Sequence, residues 1–317
     1  MNQLILHHYP QSPFAEKARL MLGLKGLSWH SVMIPPVMPK PDLTALTGGY
    51  RRTPVLQIGA DIYCDTALIA QRLEREKAIP ALFPEGQEAV AAALAQFGDQ
   101  TLFQHSIAIN FQPHALEARF AGMPPEVIKG FLKDRQAMFS SGTASRLETD
   151  VALAQWPVLM SRLETQLERN GEYLLGEEPS IADLAWYHPL WFMAANSAVS
   201  VMLEDYPAVR AWMARIHDFG SGASVRMEAE EAIRIARDSE PEPLPEDGFV
   251  STRGLNLGQE VTVRAVDYGS DPVAGRLVHE ELDEIVIARE DERAGLVHVH
   301  FPRVGYRVDV VGAAEKD

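Results

Sequence analysis

The spacing of apolar residues changes around residues 239–248, and this change limits which folds the chain can adopt. Residues 87–235 carry Ala and Leu among Glu and Arg in a helical pattern, whereas VTVRAV (261–266) and EIVIAR (284–289) alternate with period two. The segment between them, SEPEPLPEDG, is acidic and rich in proline, as linkers are. We therefore predict a helical domain at 87–235, a linker at 236–248, and a small all-β, barrel-like domain of about five strands at 249–317.

The first 80 residues have a third pattern, in which short apolar strands alternate with amphipathic helices. A proline-rich loop, PPVMPKPDL, follows the second strand. The order βαβ, loop, ββα predicts an α/β domain at residues 1–80. The segments that we assign are strands at 3–8, 28–34, 53–58 and 60–65, and helices at 13–26 and 66–77.

Charge and cysteine content limit the kinds of partner and the cellular compartment that we expect for this chain. The formal net charge is −15, which argues against nucleic acid or an anionic membrane as a main partner. The only cysteine, Cys64, cannot form an intrachain disulfide, as expected in a reducing compartment. The N-terminus lacks a signal-peptide pattern, and no apolar run is long enough to span a bilayer. We expect a cytoplasmic protein.

Ser12 lies where the first predicted strand turns into the first predicted helix, directly before Pro13 and Phe14. A helix N-terminus offers free N–H groups and a partial positive charge, and a hydroxyl there can donate a hydrogen bond to a thiolate. Lowering a thiol pKa by about two units requires roughly 2.7 kcal/mol, which such a site can supply. The alternative is that Ser12 only caps the helix.

Two further dipeptides lie at predicted turns into secondary structure. Thr53-Pro54 begins a strand, where a proline removes one ladder hydrogen bond, and a cis bond there could expose backbone to a bound peptide. Asp65-Thr66 begins a helix, where both residues are good caps. With a ligand, Asp65 could pair with an ammonium group, and Thr66 could hold a carboxylate at the helix N-terminus.

Taken in this order and spacing, these residues resemble the glutathione transferase family. The resemblance covers about residues 1–235, and Ser180-Ile181-Ala182-Asp183 resembles the family's helix-capping box. It implies a thioredoxin-like N-terminal domain and an all-α second domain. The family commonly has Ser where this chain has Thr66, which is a conservative departure.

The resemblance also implies roles for individual residues. Ser12 would activate the glutathione thiol, with Tyr9 as the rival, because the family's activating residue varies between Ser, Tyr and Cys. Arg51 also flanks the predicted pocket. The implied glutathione-binding residues are Phe14, Lys40, Arg52, Thr53, Pro54, Val55, Asp65 and Thr66. Glutathione would be the co-substrate, and no other cofactor is implied.

We therefore expect a glutathione transferase that directs the thiolate at a small, electrophilic, partly apolar substrate, as in detoxification. The alternative is a non-catalytic binding protein of the same fold that uses its β module to recognise a partner. The resemblance and the frequency of two-fold assemblies predict a homodimer. We also expect residues 249–317 to fold independently and to take no part in glutathione chemistry.

His298 and His300 are two residues apart on a predicted strand and face the same side. This spacing can bind a metal ion, but no third ligand is evident nearby in the sequence. We therefore expect no metal site.

Overall fold

The computed structural model describes residues 3–144, 146–245 and 254–312. The predicted order of the N-terminal domain is confirmed, with one added helix. Residues Pro41-Asp42-Leu43 begin that helix, because proline is tolerated in a first helical turn, so the predicted loop is confined to 35–40. The elements are β1 (Leu4–His8), α1 (Pro13–Leu24), β2 (Ser28–Met33), α2 (Pro41–Thr47), β3 (Val55–Ile58), β4 (Asp61–Cys64) and α3 (Thr66–Glu76).

The second domain is helical, as predicted, and packs around the buried side chains of Trp156 and Trp212. Its first two helices are joined by a π-helical turn, Gly98–Leu102. A Cβ atom on Gly98 would meet the Ala185 carbonyl oxygen at 2.6 Å, so only glycine permits this approach between helices. The helices are α4 (Glu88–Phe97), α5 (Phe103–Asn110), α6 (Pro113–Arg119), α7 (Pro125–Met138), α8 (Thr149–Arg169), α9 (Ile181–Ala194) and α10 (Pro207–His217), with a 3₁₀ turn at Ser200–Leu203.

The end of the predicted helical domain instead returns to the N-terminal sheet. Residues Ala223–Arg226 form β5, which pairs in parallel with β2, and Ala229–Arg237 form α11. The prediction of helical structure up to residue 235 is therefore wrong at 223–226. The strand Ala-Ser-Val-Arg is exposed and only four residues long, so its short alternation does not stand out from the helical pattern on either side.

Five further strands follow, as predicted. They are β6 (Glu260–Ala265), β7 (Val273–Glu280), β8 (Glu284–Asp291), β9 (Gly295–Pro302) and β10 (Tyr306–Val310). β10 does not pair with β9, its neighbour in the chain, but with β6. The described part of the predicted linker, 236–245, is not free of contacts, since the Glu242 N–H donates to Asp61 at 2.8 Å.

The C-terminal strands do not form an independent barrel, which corrects our prediction. β9 pairs in parallel with β4, so the described strands form one ten-stranded sheet in the order β10-β6-β7-β8-β9-β4-β3-β1-β2-β5. The prediction failed because alternation identifies strands but does not identify the strands that they pair with. Residues 246–253, which include the end of the predicted linker, lie outside the described residues.

The two faces of this sheet have different neighbours. Leu56 and Tyr63 belong to the apolar core that α1 and α3 share with the helical domain. Val55, Ile62 and Cys64 belong instead to a second core, built with α2, α11 and the C-terminal strands. Because strand side chains alternate between faces, the N-terminal strands contribute to both cores. The C-terminal strands thus complete the second core of the thioredoxin-like domain.

Candidate functional site

A cleft of about 1270 Å³ lies between the thioredoxin-like domain, the helical domain and the C-terminal strands. Most of the residues predicted from the sequence meet on its thioredoxin-like wall. These are Tyr9, Ser12, Phe14, Arg51, Arg52, Thr53, Pro54, Asp65 and Thr66. Val55 and Lys40 are both buried and are not among the lining residues.

Ser12 is the N-cap of α1, and its Oγ accepts a hydrogen bond from the Ala15 N–H at 3.2 Å. The capping role is therefore real, but it uses the hydroxyl only as an acceptor, so its proton can still be donated. Phe14, two residues on, packs against Phe103 and His188 of the helical domain, with ring centroids 4.8 and 4.5 Å away. These contacts fix the start of α1 against the other wall of the cleft.

The Thr53–Pro54 bond is cis. Lys40 lies behind this turn, where its Nζ donates to Thr53 Oγ1 at 3.0 Å. Burial, together with the nearby charge of Arg135, lowers the pKa of Lys40 to about 8. Val55 begins β3 between β1 and β4 and is fully buried in the second core. Direct contact of Lys40 or Val55 with glutathione stays a prediction.

Asp65 has φ of 75° and is the only non-glycine residue with positive φ in the described part of the chain. A backbone of this kind costs about 1–3 kcal/mol and is found most often at functional sites. The Asp65 side chain caps α3 through the Ala67 N–H at 3.0 Å. Thr66, at the first turn of α3, accepts a hydrogen bond from Lys17 Nζ at 3.4 Å, and Lys17 is itself paired with Asp99 at 2.6 Å.

The C-terminal strands reach this same site, contrary to our expectation. The Tyr306 hydroxyl, at the start of β10, donates to Asp65 Oδ2 at 3.0 Å and lies 2.9 Å from the Tyr50 hydroxyl. Burial and the nearby Asp65 charge raise the pKa of Tyr306 well above its usual value, so the phenol keeps its proton. The sequence has no motif that indicates this contact, since Tyr306 and Asp65 meet only through the order of the strands.

Arg52 also contacts the loop between β6 and β7. Its guanidinium pairs with Asp267, stacks over the Tyr268 ring at 4.2 Å, and lies 3.6 Å from Asp65 Oδ2. Arg51 pairs with Asp134 of the helical domain at 3.0 Å. Both arginines, which we expected beside the ligand, thus also hold the three parts of the chain together around the cleft.

The helical wall is mainly aromatic, with two cations, Arg119 and Arg135. The aromatic side chains are those of Phe103, Phe111, Phe120, Phe131, Phe139, Trp191 and Phe192. Arg119, the last residue of α6, stacks on the Phe192 ring at 3.8 Å, and no carboxylate within the described ranges pairs with it. Burial lowers the pKa of Arg119 to about 10, so it remains cationic at neutral pH.

Comparison with known proteins agrees with this architecture. The Glutathione S-transferase, N-terminal domain family matches residues 6–81, and the Glutathione S-transferase, C-terminal domain family matches residues 146–215. A GST-like protein from Pseudomonas syringae is 48% identical over 98% of this chain and 100% of its own, with a TM-score of 0.81. The chain belongs to the glutathione S-transferase family.

More distant glutathione transferases share the fold. Poplar glutathione transferase F1 is 13% identical over 69% of this chain and 94% of its own, with a TM-score of 0.51. A Rhodospirillum rubrum glutathione S-transferase is 18% identical over 68% of this chain and 87% of its own, with a TM-score of 0.50. No curated protein matches the chain. The Pseudomonas syringae protein, matched over nearly the whole chain, therefore shares most of the C-terminal extension, whereas the distant relatives match about two thirds.

One structural prediction from the family resemblance is confirmed. Ser180 and Asp183 form a capping box at the start of α9, and the Asp183 carboxylate also accepts from Trp212 Nε1 at 3.0 Å. Cys64 is fully buried, and burial raises the pKa of its thiol, so it packs in the core and is not placed to act as a nucleophile. No helix in the described residues is both long and apolar enough to cross a bilayer.

Proposed function

We propose that the protein is a glutathione-dependent transferase that activates the glutathione thiol at Ser12. The observation that supports this most is the convergence of Ser12, Thr53-Pro54 and Asp65-Thr66 on one wall of a cleft whose other wall is aromatic. A hydroxyl with a free proton, at a positively polarised helix N-terminus, can stabilise a thiolate. The facing aromatic side chains suit the apolar part of a second substrate.

The glutamyl end of glutathione would bind at Asp65 and Thr66. A carboxylate can accept about four hydrogen bonds, so Asp65 can receive an ammonium group in addition to Ala67 and Tyr306. The start of α3 offers N–H groups and the Thr66 hydroxyl to the α-carboxylate, and Lys17 lies behind that hydroxyl. The positive φ of Asp65 supports a functional role for this turn.

The second substrate, in this proposal, carries an anionic group in addition to an apolar body. Two arginines line the helical wall: Arg135 is paired with Asp134, whereas no acid within the described residues neutralises Arg119. Its stacking on Phe192 holds the guanidinium in place at low entropic cost. A carboxylate or phosphate on the electrophile would pair with it. Glutathione itself would occupy the opposite wall.

Calorimetry with reduced glutathione tests the first step. We expect binding by the wild type and a large loss of affinity in Asp65→Ala, because the ligand's ammonium would lose its acidic partner. Asp205→Ala, which removes an exposed acid elsewhere, is the matched control and should bind as the wild type does. Absence of binding heat in a folded wild-type protein would refute the proposal.

A non-catalytic binding protein is the second candidate, and one observation favours it. Asp65 and Arg52, both expected to contact the ligand, are bound by Tyr306 of β10 and by Asp267 and Tyr268 of the β6–β7 loop. Turnover with a panel of electrophiles, neutral and anionic, separates the two candidates. Glutathione binding with no turnover of any electrophile would favour the binding protein.

A further inference from the structure

The pairing of β4 with β9 brings three metal-binding side chains together, away from the cleft. Asp61 of β4 lies directly opposite His298 of β9 in the parallel register, and His300 follows on the same face. One ligand atom from each residue lies within 4.8 Å of the other two. Our expectation of no metal site rested on the lack of a third ligand, and Asp61, 237 residues before His298, supplies it.

The geometry of these atoms suits a small metal ion. His300 Nε2 is 2.9 Å and His298 Nδ1 is 3.9 Å from Asp61 Oδ1. Ligand atoms bound at about 2.0–2.2 Å from a tetrahedral ion are separated by distances of this order. His298 Nδ1 is buried and has no hydrogen-bond partner among the described residues. A buried ring nitrogen without a partner is costly, and a metal ion would satisfy it.

The surrounding groups are also those of a metal site. His300 Nδ1 is 2.6 Å from Glu284 Oε1, which leaves Nε2 as the ligand atom. Metal-binding histidines commonly make this second contact, because the carboxylate orients the ring and makes its other nitrogen a stronger metal ligand. Asp61 Oδ2 accepts from the Glu242 N–H at 2.8 Å, which fixes the carboxylate while Oδ1 faces the histidines. The ring of Tyr63 stacks on His300 at 4.4 Å and covers one side.

We propose that Asp61, His298 and His300 form a binding site for a divalent transition-metal ion, of which Zn²⁺ is the best match. Two imidazoles and one carboxylate are ligands that Zn²⁺ uses, and three protein ligands leave a fourth position for water. The ion replaces the contact between His300 and Asp61. Because β4 belongs to the thioredoxin-like domain and β9 to the C-terminal strands, the bound ion cross-links the two across their seam.

Metal titration of the full-length protein, with any affinity tag removed, tests this site. We expect one equivalent of Zn²⁺ or Co²⁺ to bind, with Co²⁺ giving visible absorption bands. His298→Ala should weaken binding at least about tenfold, because it removes one of three ligands, and Glu284→Gln should weaken it about 10–100-fold through the orientation of His300. His217→Ala, which removes an exposed histidine, should leave the affinity unchanged.

A second readout is the melting temperature, since a ligand that binds only the native state raises it. Zn²⁺ should raise the melting temperature of the wild type and of His217→Ala, but not that of His298→Ala. His298 is at the rim of the site, so its loss should leave the circular dichroism spectrum unchanged. The proposal is refuted if no ion remains bound after gel filtration, or if wild type and His298→Ala bind Co²⁺ equally. Neither result would bear on glutathione binding, because none of the three ligands lines the cleft.

Discussion

Removal of one aromatic side chain from β9 should destabilise the thioredoxin-like domain, although the substitution lies in the C-terminal extension. Phe301 is fully buried and packs between Tyr50, with ring centroids 6.0 Å apart, and Tyr306, at 5.7 Å. It belongs to the core that α2, β3 and β4 share with the C-terminal strands. We therefore expect Phe301→Ala to weaken the folded state of the whole sheet.

The size of the effect follows from this burial. Replacing a buried Phe with Ala costs about 3–5 kcal/mol of unfolding free energy, from lost transfer energy and the cavity left behind. At about 2.1 cal/mol/K per residue, cooperative unfolding of 317 residues has an entropy of roughly 0.67 kcal/mol/K. A loss of ~4 kcal/mol then lowers the melting temperature by about 6 °C.

Tryptophan fluorescence can detect this effect selectively. The five tryptophans, Trp29, Trp156, Trp186, Trp191 and Trp212, all precede the C-terminal strands, so their emission reports only on the other two domains. If the sheet unfolds as one unit, Phe301→Ala moves the tryptophan transition and the circular dichroism transition together.

Leu296→Ala, at a position on β9 that is 42% exposed, is the matched control and should change the melting temperature little. If Phe301→Ala leaves the tryptophan transition in place, the C-terminal strands unfold separately and the argument for a shared core fails.

Four further predictions concern the cleft and the assembly. Ser12→Ala should reduce the stabilisation of the thiolate by about 1.5–3 kcal/mol and should lower turnover more than Tyr9→Phe does. If pH–rate profiles show the larger loss in Tyr9→Phe, Tyr9 is the activating residue. Arg119→Leu should raise KM for anionic electrophiles but not for neutral analogues, with the exposed Arg210→Leu as the control. If Lys40 binds the ligand's glycine carboxylate, the affinity for S-methylglutathione should fall as the pH rises through about 8, because the Lys40 ammonium of the unliganded protein loses its proton there. Lys40→Arg should remove that decline in calorimetry. Sedimentation should show a homodimer, and a single species near 35 kDa at micromolar concentration would contradict it.

Elements with a regular apolar period were predictable from the sequence, and so was the thioredoxin-like wall of the site. Ser12 and Asp65 are N-caps at turns between elements, positions that the local sequence indicates directly. Tyr306 and Asp61 could not be assigned to a site, because their roles depend on which strands become neighbours. That choice is made by the second core, whose buried members Ile34 and Val308 are 274 residues apart in the chain. β5 was missed because four residues are too few for their alternation to be distinguished from the surrounding helical pattern.

The parallel pairing of β9 with β4 also sets the order in which this protein can finish folding. Until β9 leaves the ribosome, β4 is an open edge with unpaired N–H and C=O groups. The 238 residues between Cys64 and Pro302 take roughly 10–50 s to synthesise at about 5–20 residues per second. During this interval the edge of the nascent thioredoxin-like sheet at β4 has no strand paired with it. Chaperones that bind exposed strand edges therefore have a defined period in which to act on this chain.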